Sequence, residues 1–388
     1  ADFLLGVPQT SAIAFGNADK YLRAFSYDAY VTDDWRVSPA LTVNAGLRWE
    51  YEAPFTERFG RLVNLDIAPG FADATAVQGS DPTGTVTGAR YPDSLVRPDK
   101  RGIQPRIGIA LRPIPGSSLV IRAGYGIYRN TNVYQPIALL LAQQPPLSTA
   151  FSVENSASNP LRLADGLIAP RSELPNTFAV DPNFRVGYAQ NWQLLVQRDL
   201  PASLTMIATY LGTKGSHLMQ EFLPNTYPAG AINPCPACPA GFVYLTSNGS
   251  SLRQSGQFQL RRRLRNGLTA SAQYTLSKAT DDAGAFSGVA LSGSAIAQDW
   301  LNLGAERGPS NFDQRHLLTT QVEYTTGVGV SGGGLLTGLK GTLLKGWTFT
   351  SQMTAGSGLP LTPVYLTSVA GTGVTGSIRP DVTGSPTD

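Results

Sequence analysis

Apolar and polar positions alternate with a period of two over ten separate stretches of the chain. "LTVNAGLRWEY" is the clearest. Leu41, Val43, Ala45, Leu47, Trp49 and Tyr51 share one parity; Thr42, Asn44, Gly46, Arg48 and Glu50 share the other. Successive side chains of a strand point to opposite faces, so this stretch predicts a strand with one apolar and one polar face. The other nine lie near Arg23–Asp33, Ile103–Arg112, Leu119–Tyr128, Tyr188–Arg198, Leu204–Thr213, Gly256–Arg265, Leu268–Ser277, Leu317–Thr325 and Trp347–Ser357. Most run nine to eleven residues. Ordinary strands average about five or six, whereas a tilted strand crossing a bilayer needs about nine to eleven.

The connections alternate as well. Short turns are expected near 34–40, 113–118, 199–203 and 265–267, the last carrying the two-residue hairpin signal Asn266–Gly267. A longer turn covers 326–346. Long loops fall near 52–102, 129–187, 214–255, 278–316 and 358–388. One plain rim and one elaborated rim belong to an up-and-down antiparallel sheet, and outer-membrane barrels have that asymmetry, with the long loops outside. Trp35 and Trp347 fall at short-turn ends, and Trp49, Tyr51 and Tyr128 at long-loop ends. Two such belts are expected where amphipathic rings sit at headgroup level.

The polar parity carries Thr42, Asn44, Arg48, Glu50, Arg106, Arg112, Arg122, Gln193, Gln197, Gln257, Gln259, Arg261, Arg263, Gln273, Gln321 and Glu323. A soluble core would not take so many Arg and Gln; a hydrated lumen would, and so would a solvated sheet face. The apolar parity includes Leu41, Val43, Leu47, Ile107, Ile109, Leu119, Ile121, Leu194, Val196, Leu260, Ala270, Ala272 and Val322. It needs lipid or a second protein layer to cover it. No helical pattern supplies that layer, although two sheets of a soluble β-sandwich could cover each other. Strand length and loop asymmetry favour an all-β fold, an antiparallel up-and-down transmembrane β-barrel with these polar residues facing the lumen.

Composition narrows the function classes. Only 15% of residues are charged, against roughly 25% in ordinary domains. A net charge of +3 gives no electrostatic case for a nucleic-acid partner. The run Arg261–Arg263 is not a basic patch, because alternation sends Arg262 to the other face. The longest apolar run, Ile137–Ala142, is far shorter than a membrane helix. Cys235 and Cys238, in "NPCPACPAG", are the only cysteines, and His217 and His316 the only histidines. Half a zinc site or a redox motif would share this spacing; a loop disulfide in an oxidising compartment is the reading preferred. "GVGVSG" (Gly327–Gly332) lacks the acidic residue and βαβ frame of a nucleotide site and reads as a glycine-rich turn. No hydrolase or zinc-protease motif occurs, so no catalytic residue, cofactor or metal site is expected. Asp33–Asp34 and Asp281–Asp282 are the weaker candidates for calcium.

Five segments together carry a family resemblance: Tyr30–Pro54, Tyr188–Leu218, "FQLRRRLRNGLTASAQYTLSKATDD" (Phe258–Asp282), "ERGPSNFDQRHLL" (Glu306–Leu318) and "GWTFTSQMTAGSGLPLTP" (Gly346–Pro363). In wording and order they resemble TonB-dependent outer-membrane transporters, specifically the Oar-like subgroup with a carboxypeptidase-regulatory-like N-terminal domain. The resemblance implies a bacterial outer-membrane location and a barrel of about 22 strands. An N-terminal plug would close that barrel, and energy passed through TonB would drive import of a large or scarce solute. About ten of those strands are expected here, with no plug, TonB box or final aromatic-ended strand among them. The implied partners are the lipid bilayer, the remaining strands and plug, and TonB by way of the plug. The chain reads as a piece of a longer protein, so the strands near Arg23–Asp33 and Trp347–Ser357 are expected to pair outside it rather than with each other. Two other readings remain open: a passive outer-membrane channel or structural surface protein, and a soluble β-sandwich binding module.

Overall fold

The computed structural model describes residues 4–361, apart from 5, 8–9, 17–18, 155–161, 165–177, 226–234, 240–241, 266, 283–296, 298 and 328–337. Its dominant element is one sheet whose ten long strands follow one another in chain order. They are β1 (Ser26–Ser38), β2 (Leu41–Glu52), β3 (Ile103–Leu111), β4 (Val120–Arg129) and β5 (Tyr188–Leu200). Then come β6 (Leu204–Phe222), β7 (Val243–Arg265), β8 (Leu268–Asp281), β9 (His316–Thr325) and β10 (Thr348–Gly356). Every neighbouring pair is antiparallel. The chain thus has the up-and-down wall of a barrel. Among the described residues no ladder joins β1 to β10.

Several strands, β6 to β8 above all, are longer than the alternation predicts. β6 runs on to Phe222 and β7 starts at Val243, so the connection expected over 214–255 shrinks to its middle. The extension is hidden by bulges between Ser216 and Leu218 and between Leu218 and Gln220. Each bulge adds a residue and flips the parity, so period two breaks although pairing continues. His217 sits at the first bulge with a positive φ of 54°. At the other rim the first hairpin turns on Pro39–Ala40 alone, tighter than 34–40.

The buried core is built from the long connections together with the ends of β6 and β7 that run into them. A hairpin of Val63–Ile67 and Ala74–Gln78, the helix α1 (Tyr134–Leu141) and the short strand Phe178–Val180 pack above β2–β7. Leu62, Leu95, Tyr134, Leu141, Phe184 and Leu245 are almost wholly enclosed there. A second cluster joins Leu65, Ala179 and Phe242, flanked by edge-on contacts of Phe71 with Phe222, Tyr244 and Trp300. The apolar run "IALLLA" therefore belongs to a short helix in this layer, with Ile137, Ala138 and Leu141 buried and Leu139 exposed.

Two buried polar residues tie the layer together. Asn64 exchanges two hydrogen bonds with the backbone of Val180, at 2.9 and 3.0 Å. Asp66 accepts the N–H groups of Val86 and Thr87 and the hydroxyls of Thr87 and Tyr91. Burial pushes the Asp66 carboxyl upward, but those four donors outweigh it and hold its pKa below the ordinary aspartate value. Glu57 behaves likewise: burial raises it, and the backbone N–H groups of Arg61, Tyr21 and Phe59 bring it below the usual range.

Candidate functional site: the concave wall

Cross-strand register decides which side chains share a face. Val31 stands opposite Leu47, Ala45 opposite Ile107, Ile109 opposite Ala123, and Leu260 opposite Ala272. The apolar parity thus continues from strand to strand on one side, with Asp33 and Arg262 as charged exceptions. On the other side Asn44 lies beside Asp34 and Gly108, Arg106 beside Gly46 and Gly126, and Gln259 beside Gln273.

The wall curls around that polar side. Side chains of seven strands, β1 to β7, line a single hollow of about 720 Å³, with Asp34, Asn44, Arg106, Arg122, Gln193 and Arg253 on its surface. Gly46, Gly108, Gly124 and Gly126 form its floor. Lacking Cβ atoms, they let longer neighbours lie down against the backbone. A Cβ at Gly126 would stand 3.1 Å from the Tyr128 ring, and one at Gly124 would stand 3.4 Å from Gln193. A second hollow lies between β7, β8 and β9, lined by Gln259, Arg261, Gln321 and Glu323.

Some of the charges are neutralised within the wall. Arg48 is ion-paired to Asp28 and reaches Glu50 at 3.4 Å. Glu50 also accepts the Gln104 amide at 2.9 Å. Asn44 donates to Asp34. Near the short-turn rim Arg263 pairs with Asp199 at 3.0 Å. Arg122 reaches the Gln197 amide oxygen at 3.5 Å, and Arg106 lies over the Tyr128 ring at 4.5 Å. Among the described residues, no carboxylate stands within ion-pair distance of Arg106, Arg122 or Arg253.

The register places Thr42 with Arg36 and Ala110, Gln257 with Thr209 and Thr275, Gln273 with Thr319, and Glu323 with Thr350, all on the same side. Arg112 lies one residue past β3, its N–H bonded to the Ala40 carbonyl at 2.8 Å.

Several expectations change. Tyr128 is not part of an outward aromatic belt; it shares parity with Arg122 and lines the hollow. Leu195, Ile207 and Leu211 also fall on the concave side, so that side is not uniformly polar. Asp33 lands on the apolar side, opposite Ala45. Asp33 and Asp34 therefore point to opposite faces and cannot hold one calcium ion, and the described residues contain no metal-type cluster. Asp282 is engaged by the N–H and hydroxyl of Ser250. Cys235 and Cys238 are joined by a disulfide, their Cα atoms 5.4 Å apart, in the loop between β6 and β7. Asn266 and most of Gly327–Gly332 lie outside the described residues.

Long paired strands, the two-faced register and the elaborated rim meet a match to the profile of the outer membrane beta barrel domain, over residues 1–388. The chain belongs to this family. Its place is the bacterial outer membrane, and its sheet is a transmembrane barrel wall. No curated protein matches the sequence.

Solved structures similar to this outer-membrane barrel chain include the alcaligin outer membrane receptor FauA from Bordetella pertussis, at 12% identity and a TM-score of 0.39, covering 87% of this chain and 38% of that one. The outer membrane transporter YddB from Escherichia coli matches at 10% identity and a TM-score of 0.41, covering 78% of this chain and 40% of that one. FpvA of P. aeruginosa, in complex with a pyoverdine, matches at 10% identity and a TM-score of 0.40, covering 86% and 32%. The chain thus spans about two-fifths or less of the length of these structures.

Proposed function

We propose that this chain is part of the barrel wall and external loops of a TonB-dependent transporter that moves a large or scarce solute across the outer membrane. One observation carries the reading: the concave hollow lined by arginine and amide side chains beneath a packed loop layer. The side chains named above as the polar parity then face a hydrated lumen, and the apolar parity faces lipid. Arg106, Arg122 and Arg253 outnumber Asp34 in the hollow and, among the described residues, have no carboxylate within ion-pair distance, which favours an anionic occupant, either solute or acidic plug surface. The resemblance carried by the five family-like segments supports the TonB dependence.

The test uses the intact gene product. It should show no steady conductance in planar bilayers and should bind the soluble C-terminal domain of TonB. Steady conductance without TonB binding would make it a passive channel instead.

A further inference from the structure

A third cavity, of about 290 Å³, lies where β3–β6 rise into the loop layer, and Ile103, Ile127, Tyr188 and Gln190 place it on the apolar, convex parity. Arg101, Arg129, Arg185 and His217 line it. The one carboxylate among the described residues that line it, Asp99, is already engaged by the Arg129 guanidinium and by the N–H groups of Arg101 and Val186, each at 3.1 Å. Among the described residues, nothing accepts a hydrogen bond from the buried Nε of Arg185, and a buried guanidinium N–H left unpaired favours an acceptor brought from outside. Three guanidinium groups against one carboxylate leave the cavity positive. Its lower wall is the opposite in character: Ile103 and Ile127 line it on the apolar parity of β3 and β4. Below them the Tyr125 hydroxyl donates to Gln190 at 3.0 Å, as expected of a ring at the membrane interface.

We propose that this cavity binds the phosphate head group of an outer-leaflet lipid, whose acyl chains lie along the apolar strand face beneath it. Arginine forks match phosphate oxygens, and the dry wall directly below matches hydrocarbon. Free phosphate would use the first feature only, and a soluble anionic peptide would leave Ile103, which is 60% exposed, uncovered. The proposal rests on the reading that the apolar parity faces lipid.

Native mass spectrometry of the intact gene product, released from detergent micelles, tests it. The probes are diphosphoryl lipid A, the same lipid stripped of phosphate, and inorganic phosphate. The diphosphoryl lipid should stay bound. The stripped lipid, and the variant Arg101→Glu with Arg185→Gln, should bind at least about tenfold more weakly, the equivalent of one lost charge-assisted contact. Arg101 is exposed, so Arg101→Glu alone carries the test should the double variant fail to fold. Equal retention of both lipids, or of lipid by wild type and variant, overturns the site. So does retention of inorganic phosphate in place of lipid. A particle with no detergent belt would instead overturn the lipid-facing reading itself.

Discussion

At the scale of single residues, the two parities make opposite predictions for one substitution. Leu47 stands opposite Val31 and Pro105 on the apolar side and is 49% exposed. On the proposed facing, arginine there would sit in hydrocarbon, so Leu47→Arg should destabilise by about 2–4 kcal/mol, the mid-bilayer cost on a lipid face. Thr42 is on the other side, between Arg36 and Ala110. Thr42→Arg should cost under about 1 kcal/mol, a lumen change being met by water. Folding titrations in lipid vesicles compare the two, and equal costs would contradict the facing. Tyr128 shows the same rule working against a looser expectation. Its position at a strand end suggests a belt, but its parity, shared with Arg122 and two glycines, is legible in the sequence and points inward.

At the scale of elements, the loop layer depends on a few buried polar anchors. Asp66 holds the stretch from Gly84 to Tyr91 in place, and a Cβ at Gly84 would collide with its carboxylate. Because the folded pKa is depressed, the carboxylate's contribution is present above the unfolded value and is lost as pH falls through the folded one. Protease resistance of this stretch should hold from neutral pH down to that unfolded value, 3.8, and fall at lower pH. Asp66→Asn should loosen it at neutral pH by about 1–3 kcal/mol, since an amide cannot accept the same set of donors. Hydrogen exchange over 84–91 would report the change, and exchange unaltered by the variant would refute the anchor.

At the scale of the whole molecule, the two edges of the sheet set the strongest constraint. β1 is exposed over twelve of its thirteen residues and β10 over all nine. An unpaired edge in hydrocarbon costs several kcal/mol for each open backbone group, so these strands need partners in the membrane. The present sheet does not bring them together. Cysteines introduced at Ala29 and Met353 should therefore not form a disulfide in the intact gene product under oxidation in membranes. Efficient cross-linking would instead establish closure of the ten strands on each other.

The alternation of the chain is enough to specify the wall: which strands, in which order, and which parity is apolar. Side-chain direction in a strand depends only on the residue's own position in the pleat, so that information is local. The pattern fails where the cause is not local. Bulges after Ser216 conceal the continuation of β6 from Lys214 to Phe222, where the alternation breaks although the strand stays paired with β7. The loop layer is out of reach for a related reason, since its contacts join distant parts of the chain. Asn64 meets Val180 across 116 residues, and Asp99, in the β2–β3 connection, meets Arg129 at the end of β4 and Val186 just before β5. Both the concave hollow and the convex cationic cavity gather side chains from strands far apart in the chain, and only their packing decides what stands beside what.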